Sequence, residues 1–277
     1  MSDPHSPCPH DPDVAEAPLP PLELRYRSAV GALPPRRIRL EIPGWAGDST
    51  PPRDGGTAQP WHCRPFMEGA TYGLELVYPY RSECRVHNDE GRIRFEGELR
   101  AEARAAGFPH PFGVFAQGHF GMDTGLDLLP PPGYGVRLGP HPRYFTDSAG
   151  DVPLALPGHL QRFWPNQFFA VFRAPPAGQV HVFRHGEPYA QLLLARVGET
   201  YTVAPMDADQ AAERATQERQ VRSLSYFLAK RLWKSQAGIW FGDKYKQLMR
   251  IFRRGGLDAV RAHLQATEGR FTRPPKD

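Results

Sequence analysis

His185-Gly186-Glu187 is the unit of this 277-residue sequence that could do chemistry most directly. Residues two apart share a face of an extended strand. A His-x-acid pair joined by a distant histidine is the donor set of mononuclear non-haem iron sites, the kind that supports oxidoreductase chemistry. His119, His141 or His159 would supply the third ligand. The plainer reading has His185 and Glu187 close a turn between two strands. His181 falls outside the set, because four residues of strand at 3.3 Å each put it about 13 Å from His185. A second set, His62-Cys63 with Cys84-x-x-His87, holds the nitrogen and sulfur ligands that zinc prefers. Cys84 and His87 point to opposite faces of a strand, so joint ligation needs the chain to turn at His87-Asn88-Asp89-Glu90-Gly91. Otherwise Cys63 and Cys84 are buried thiols beside surface histidines.

Aromatic residues gather at Phe163, Trp164, Phe168, Phe169 and Phe172. Such clusters are mostly core. As walls of a small-molecule pocket, Trp164 and Phe169 would join Tyr134 and Glu187. There is no serine nucleophile elbow and no Gly-rich phosphate loop, and no catalytic residue is assigned.

These side chains need a scaffold, and the sequence outlines one. Short runs bounded by turn residues recur: LELRYRSAV, RRIRLEI, GLELVYPY, SECRVHN, RIRFEGEL, YGVRLG, QFFAVFRA, GQVHVFRHG and YAQLLLARV. This spacing predicts a mainly β protein, an antiparallel β-sandwich or barrel of jelly-roll-like kind. Within that body only Leu99–Ala106 reads as a helix. Residues 1–21 hold seven prolines and four acids and are expected to be a disordered leader. Residues 22–204 form the β-rich body, and Gly47–Pro60 within it reads as a mobile loop.

Proline marks the next boundary. After Pro205 none occurs until Pro274, and a helix interior excludes proline at a cost of about 3 kcal/mol. Residues 205–277 therefore read as a C-terminal helical extension. Asp207 or Asp209 caps a first helix carrying Val221, Leu224, Leu228 and Leu232. Asp243 caps a second, with Tyr245, Leu248, Met249 and Phe252 as a stripe to pack on the body and Gly255 as its stop. A third starts near Asp258.

Charge is uneven along the chain. Residues 205–277 carry 15 Lys/Arg against 8 Asp/Glu, which leaves 19 against 22 in residues 1–204. Such basic runs are commonly the solvated face of packed helices, so neither nucleic acid nor a membrane surface is the expected partner. No stretch reaches the roughly 18 apolar residues of a membrane span, and the N-terminus lacks the basic flank and apolar run of a secretory signal. Three cysteines, an odd number, fit reduced thiols, so the expected compartment is the cytoplasm.

Three stretches carry a family resemblance. They are His62-Cys63-Arg64-Pro65-Phe66 with Tyr72-Gly73-Leu74-Glu75-Leu76, Pro132-Gly133-Tyr134 leading into Gly139-Pro140, and Trp164 leading through Phe169 to Gly186-Glu187-Pro188. Their order resembles a domain of unknown function found in bacteria and cyanophages, over about residues 61–196. The family's Gly-Pro-Pro-x-Asn is here Gly139-Pro140-His141-Pro142, and Phe163 stands where its Asp would precede Trp. The resemblance implies no activity. A shorter stretch, Gly186-Glu187-Pro188-Tyr189-Ala190-Gln191-Leu192, is similar to the closing strand of deoxyuridine triphosphatases and implies only an all-β body.

Two functional expectations follow. One is a small-molecule-binding β protein, in its sharper form a metal-dependent enzyme of small-molecule metabolism using iron or zinc. The other is a non-catalytic binding or assembly module that associates with itself or a protein partner through residues 206–269.

Overall fold

The computed structural model describes residues 20–29, 32–39, 64–146, 152–234, 238 and 240–271. The leader, His62, Cys63 and the Gly47–Pro60 loop lie outside them, apart from Pro20 and Pro21. Described residues within Pro21–Gly47 and Glu68–Tyr201 form one compact unit. Those of Thr202–Asp277, with the described ends of Met1–Pro20 and Asp48–Met67, form another.

The first unit is mainly antiparallel β. In chain order its strands are β1 (Arg25–Ser28), β2 (Arg36–Arg37), β3 (Leu74–Val77), β4 (Cys84–Asp89), β5 (Arg92–Glu96), β6 (Phe112–Ala116), β7 (His119–Asp123) and β8 (Leu126–Leu129). They continue with β9 (Tyr134–Pro140), β10 (Gly158–Gln161), β11 (Phe169–Arg173), β12 (Val180–Phe183) and β13 (Pro188–Arg196). Helix α2 spans Leu99–Ala106, while α1, Arg64–Ala70, has Arg64–Met67 in the other unit and Glu68–Ala70 in this one. The sheets run β10-β9-β13-β3-β2, β11-β7-β6, β12-β4-β5 and β1-β8, every pairing antiparallel.

Local chemistry explains the elements. Asp89 pairs with Arg92 across a two-residue turn of Glu90 and Gly91, both at positive φ, with the Gly91 N–H donating to Asn88 Oδ1. That backbone twist suits a tight hairpin. In α2, Leu99 and Ala103 are buried one turn apart, and Gly107 ends the helix in the left-handed region. Alternate residues of the strands then meet in one core. Phe112, Phe120, Phe172, Phe183, Tyr78 and Tyr189 lie ring against ring, Phe112 and Phe183 with centroids 5.0 Å apart. Such pairs add about 0.5–1.5 kcal/mol each beyond the area they bury.

The second unit holds α3 (Ala208–Ser223), α4 (Ser225–Leu228), the hairpin β14 (Leu232–Lys234) and β15 (Trp240–Gly242), and α5 (Lys244–Phe271). Asp207 caps α3 through a reciprocal box with Gln210. Helix α5 is interrupted at Gly255 and Gly256, whose backbones are non-helical. A small core joins Leu224, Leu228 and Leu264 with Val221, Leu248 and Val260. Two expectations change here. Leu232 belongs to a strand, since α4 ends at Leu228 and the chain turns into the hairpin. Tyr245 and Phe252 are exposed, and only Leu248 of their stripe packs into that small core.

Gly73 adopts φ +90, and a Cβ there would overlap the Leu192 carbonyl oxygen of β13. Gly73→Ala should therefore cost about 2–3 kcal/mol in urea unfolding. Gly113→Ala, with open space around its Cβ and no positive φ, should stay within about 0.5 kcal/mol. Equal effects would show that β3 does not enter as described.

Candidate functional site

Glu75 and His141, both 0% exposed, form the most deeply buried polar contact of the β unit. Glu75 lies on β3 opposite Arg36 of β2, on the face away from the Leu76 core. Arg36 Nε donates to its Oε1 at 2.7 Å, and His141, one residue past β9, meets Oε2 at 3.1 Å. The Arg143 backbone N–H donates to His141 Nδ1 at 3.2 Å. Nδ1 is thus an acceptor, and Nε2 carries the proton given to Glu75.

Both groups titrate below their ordinary ranges. Burial alone raises the Glu75 carboxyl, but the hydrogen bonds and charges of His141 and Arg36 outweigh it and lower it. Burial lowers His141 more than Glu75 raises it. A neutral imidazole therefore donates to a carboxylate whose charge Arg36 balances. The turn that follows, Pro142–Thr146, lies against the start of β13, where Arg143 Nη2 meets Glu187 at 3.3 Å and the Tyr144 hydroxyl donates to the Pro188 carbonyl.

This arrangement separates the residues proposed as metal ligands. His141 is committed to Glu75. His185 lies in a turn, its Nδ1 3.1 Å from the Pro79 and Tyr80 carbonyl oxygens, while Glu187 faces Arg143. Gly186 between them has φ +75, so they do not share a strand face. His119 Nδ1 contacts the Gln117 carbonyl, and the His159 ring lies over Gly135. Among the described residues no three of His, Cys, Asp and Glu are gathered to hold a metal ion.

The thiol set separates for a different reason. Strand β4 continues through His87 to Asp89, so Cys84 enters the core while His87 lies on the other face. His87 Nε2 stands 3.1 Å from Glu96. Burial, then the nearby Glu83, pushes the Cys84 thiol up to about 12, leaving it protonated and a poor ligand.

The pocket residues are likewise spread out. Tyr134 pairs with Arg196 at one end of β13 and Glu187 precedes the other, roughly 26 Å away at 3.3 Å per residue. Trp164 and Phe169 are 52% and 58% exposed, the first in the turn after β10 and the second on β11. In the helical unit a groove of about 370 Å³ lies between α3 and α5, lined by Glu213, Thr216, Gln217, Gln220, Arg261 and Leu264. Its cation is engaged, Arg261 bridging Glu213 at 2.8 Å and Asp258 at 3.2 Å.

Sequence reasoning took the basic run of the tail as the solvated face of packed helices. Residues 225–256 contain Lys230, Arg231, Lys234, Lys244, Lys246, Arg250, Arg253 and Arg254 against Asp243 as the one acid. That carboxylate is spent internally. Its Oδ1 accepts from the Lys230 and Arg231 backbone N–H groups at 2.8 and 3.0 Å, and Oδ2 from Gln247 Nε2 at 2.6 Å. Lys244 Nζ donates to Ser225 Oγ at 3.0 Å, which holds α4 beside the start of α5. Tyr226, Phe227, Trp240, Tyr245 and Phe252 are 40–66% exposed among these cations. The signal was present as aromatic and basic residues interleaved in one segment, but only the fold shows which rings stay outside.

No protein-family model and no curated protein matches the chain. Among solved structures it is similar to the native dUTPase of EIAV, at 10% identity and TM-score 0.32, covering 67% of this chain and 98% of that one. It is also similar to a dUTPase from phage phi11 of S. aureus, at 10% identity and TM-score 0.34, covering 67% and 99%. Likenesses of that size bear on neither fold nor activity. No helix among the described residues is long and apolar enough to cross a membrane.

His181 supplies a test of the buried face. It is buried on β12, its Nδ1 lacks a hydrogen-bond partner among the described residues, and desolvation lowers it from 6.5 to about 4. The unfolded chain binds this proton near 6.5 and the folded one only near 4, so stability present above pH 6.5 is lost on acidification across that window. His181→Leu should remove about 2–3 kcal/mol of the difference between pH 7 and pH 4.5 in urea unfolding. An unchanged pH dependence would show that His181 is not held neutral in the fold.

Proposed function

We propose that this protein is a non-catalytic binding module whose helical unit engages a polyanionic partner. One observation supports the reading above the others. Over residues 225–256 the only carboxylate is consumed by backbone N–H groups, while Lys230, Arg231, Arg250, Arg253 and Arg254 remain exposed. Exposed cations clustered in one segment raise the local positive potential and the rate at which a polyanion is captured. In the β unit the reverse holds at the groups described above, where Glu75, Glu83 and Glu187 each lie against arginine.

The choice falls on a binding module rather than the small-molecule enzyme because no three of the described His, Cys, Asp and Glu residues are gathered to hold a metal ion. The β unit is then the folded scaffold of the chain. The contact itself is electrostatic and should weaken steeply with salt, since each phosphate or sulfate neutralised releases a counterion.

Heparin chromatography of the full chain tests this. The triple variant Arg250→Gln/Arg253→Gln/Arg254→Gln should elute at clearly lower salt than the parent. A charge-matched control in the β unit, Arg92→Gln/Arg100→Gln/Arg104→Gln, removes three exposed arginines elsewhere and should move the elution little. Equal shifts for both variants, or no retention of the parent at 0.15 M salt, would contradict the proposal.

A further inference from the structure

We infer that the polyanion is a single-stranded nucleic acid, held by base stacking as well as by charge; the inference rests on the polyanion reading just given. The observation behind it is the company the cations keep. Tyr226 and Phe227 stand on α4, Trp240 on β15, and Tyr245 and Phe252 on α5, all substantially exposed.

Hydrogen bonds bring these elements together. The Lys244 to Ser225 bond places the start of α5 against α4, and Asp243 binds the chain at Lys230 and Arg231, where it enters the hairpin. Helix α4 therefore stands beside the start of α5. Tyr245 and Phe252 are seven residues apart, two turns along one helix face, with Arg253 following Phe252 on the exposed side. The Lys244–Arg254 part of α5 is about 15 Å long at 1.5 Å per residue.

Exposed aromatic rings alternating with cations do two jobs on a single strand. The cations track the phosphates, and the rings stack on bases, whichever base is presented, because each has a π-face. A duplex hides its base faces within its own stack and gives these rings nothing to cover. Inorganic polyphosphate and heparin have no bases at all. A membrane surface favours a helix with apolar and cationic faces segregated. Here the face of α5 that carries Tyr245 and Phe252 also carries Leu248, which packs into the small core of the helical unit, so that face is already partly engaged, and Lys246, Arg250 and Arg253 flank the two rings.

Fluorescence anisotropy with the full chain decides the matter, using a labelled fifteen-nucleotide oligothymidylate, a hairpin duplex of equal phosphate number and inorganic polyphosphate as competitor. Two variants are needed: Tyr226→Leu/Trp240→Leu and Tyr245→Leu/Phe252→Leu, each checked for an unchanged melting temperature. If one fails to fold, the other carries the test. The inference expects single strand to bind at least tenfold more tightly than duplex, each variant to weaken it about tenfold or more, and polyphosphate competition to be unaltered. Equal affinity for duplex and single strand, or variants that bind oligothymidylate as the parent does, would overturn stacking while leaving the polyanion reading in place. Binding to none of the three probes would remove the reading beneath it. Preference for phosphatidylserine vesicles over oligothymidylate would also overturn the inference.

Discussion

The β unit is organised around one carboxylate that has left water. Glu75 sits on a strand that contributes Leu76 to the core, and its own face would ordinarily be wet. An isolated buried carboxylate is prohibitively costly, and the structure contains it only because Arg36 and His141 arrive from 39 and 66 residues away. Their arrival positions much else. Arg36 defines the register of β2 on β3, and His141 brings the turn Pro142–Thr146 down beside β13. There Arg143 and Tyr144 contact Glu187 and Pro188. Removing one partner would strand charge in the interior, a loss of about 3–5 kcal/mol. The residues that looked most like metal chemistry, His141, His185 and Glu187, are in this light parts of the turns that close the β unit.

The helical unit uses its carboxylate in the opposite sense. Asp243 neutralises no arginine side chain in its hydrogen bonds with 230 and 231; it accepts from their backbone N–H groups and so ends one segment and begins another. Lys230, Arg250 and Arg254 nearby are exposed. In the β unit, acids are buried or bridged to arginine; in the helical unit, the one acid of residues 225–256 is spent on backbone N–H groups and Gln247. The exposed rings lie in the second environment, and this conjunction carries the functional reading.

Much of the fold was legible because its signals are local. Alternation in SECRVHN and RIRFEGEL with Asn88 to Gly91 between them announces the β4–β5 hairpin, and Leu99 with Ala103 announces α2. Strands β6 to β8 were missed, since FGVFA and HFGMD carry glycines that blur a period of two. The helix continued to Leu232 on spacing alone, while the backbone there is claimed by Asp243 from twelve and thirteen residues away. Glu75 was read as part of a family motif and not as a site, because its partners are distant in sequence. The His185-Gly186-Glu187 reading departs from the structure at the same level. It required His185 and Glu187 to share a strand face, and Gly186 at positive φ turns the chain between them. For the aromatic residues, type and order were visible, but whether a ring is buried like Phe172 or exposed like Trp240 is decided by packing.

The central claim is that binding belongs to residues 225–254 and that the β unit is its scaffold. Amide hydrogen exchange on the full chain, with and without saturating oligothymidylate at low salt, tests it most directly. The account predicts slowed exchange confined to α4, the β14–β15 hairpin and the part of α5 before Gly255, with the amides of β3, β9 and β13 unchanged. Slowed exchange centred on the β unit, or no change anywhere in the chain, would contradict it.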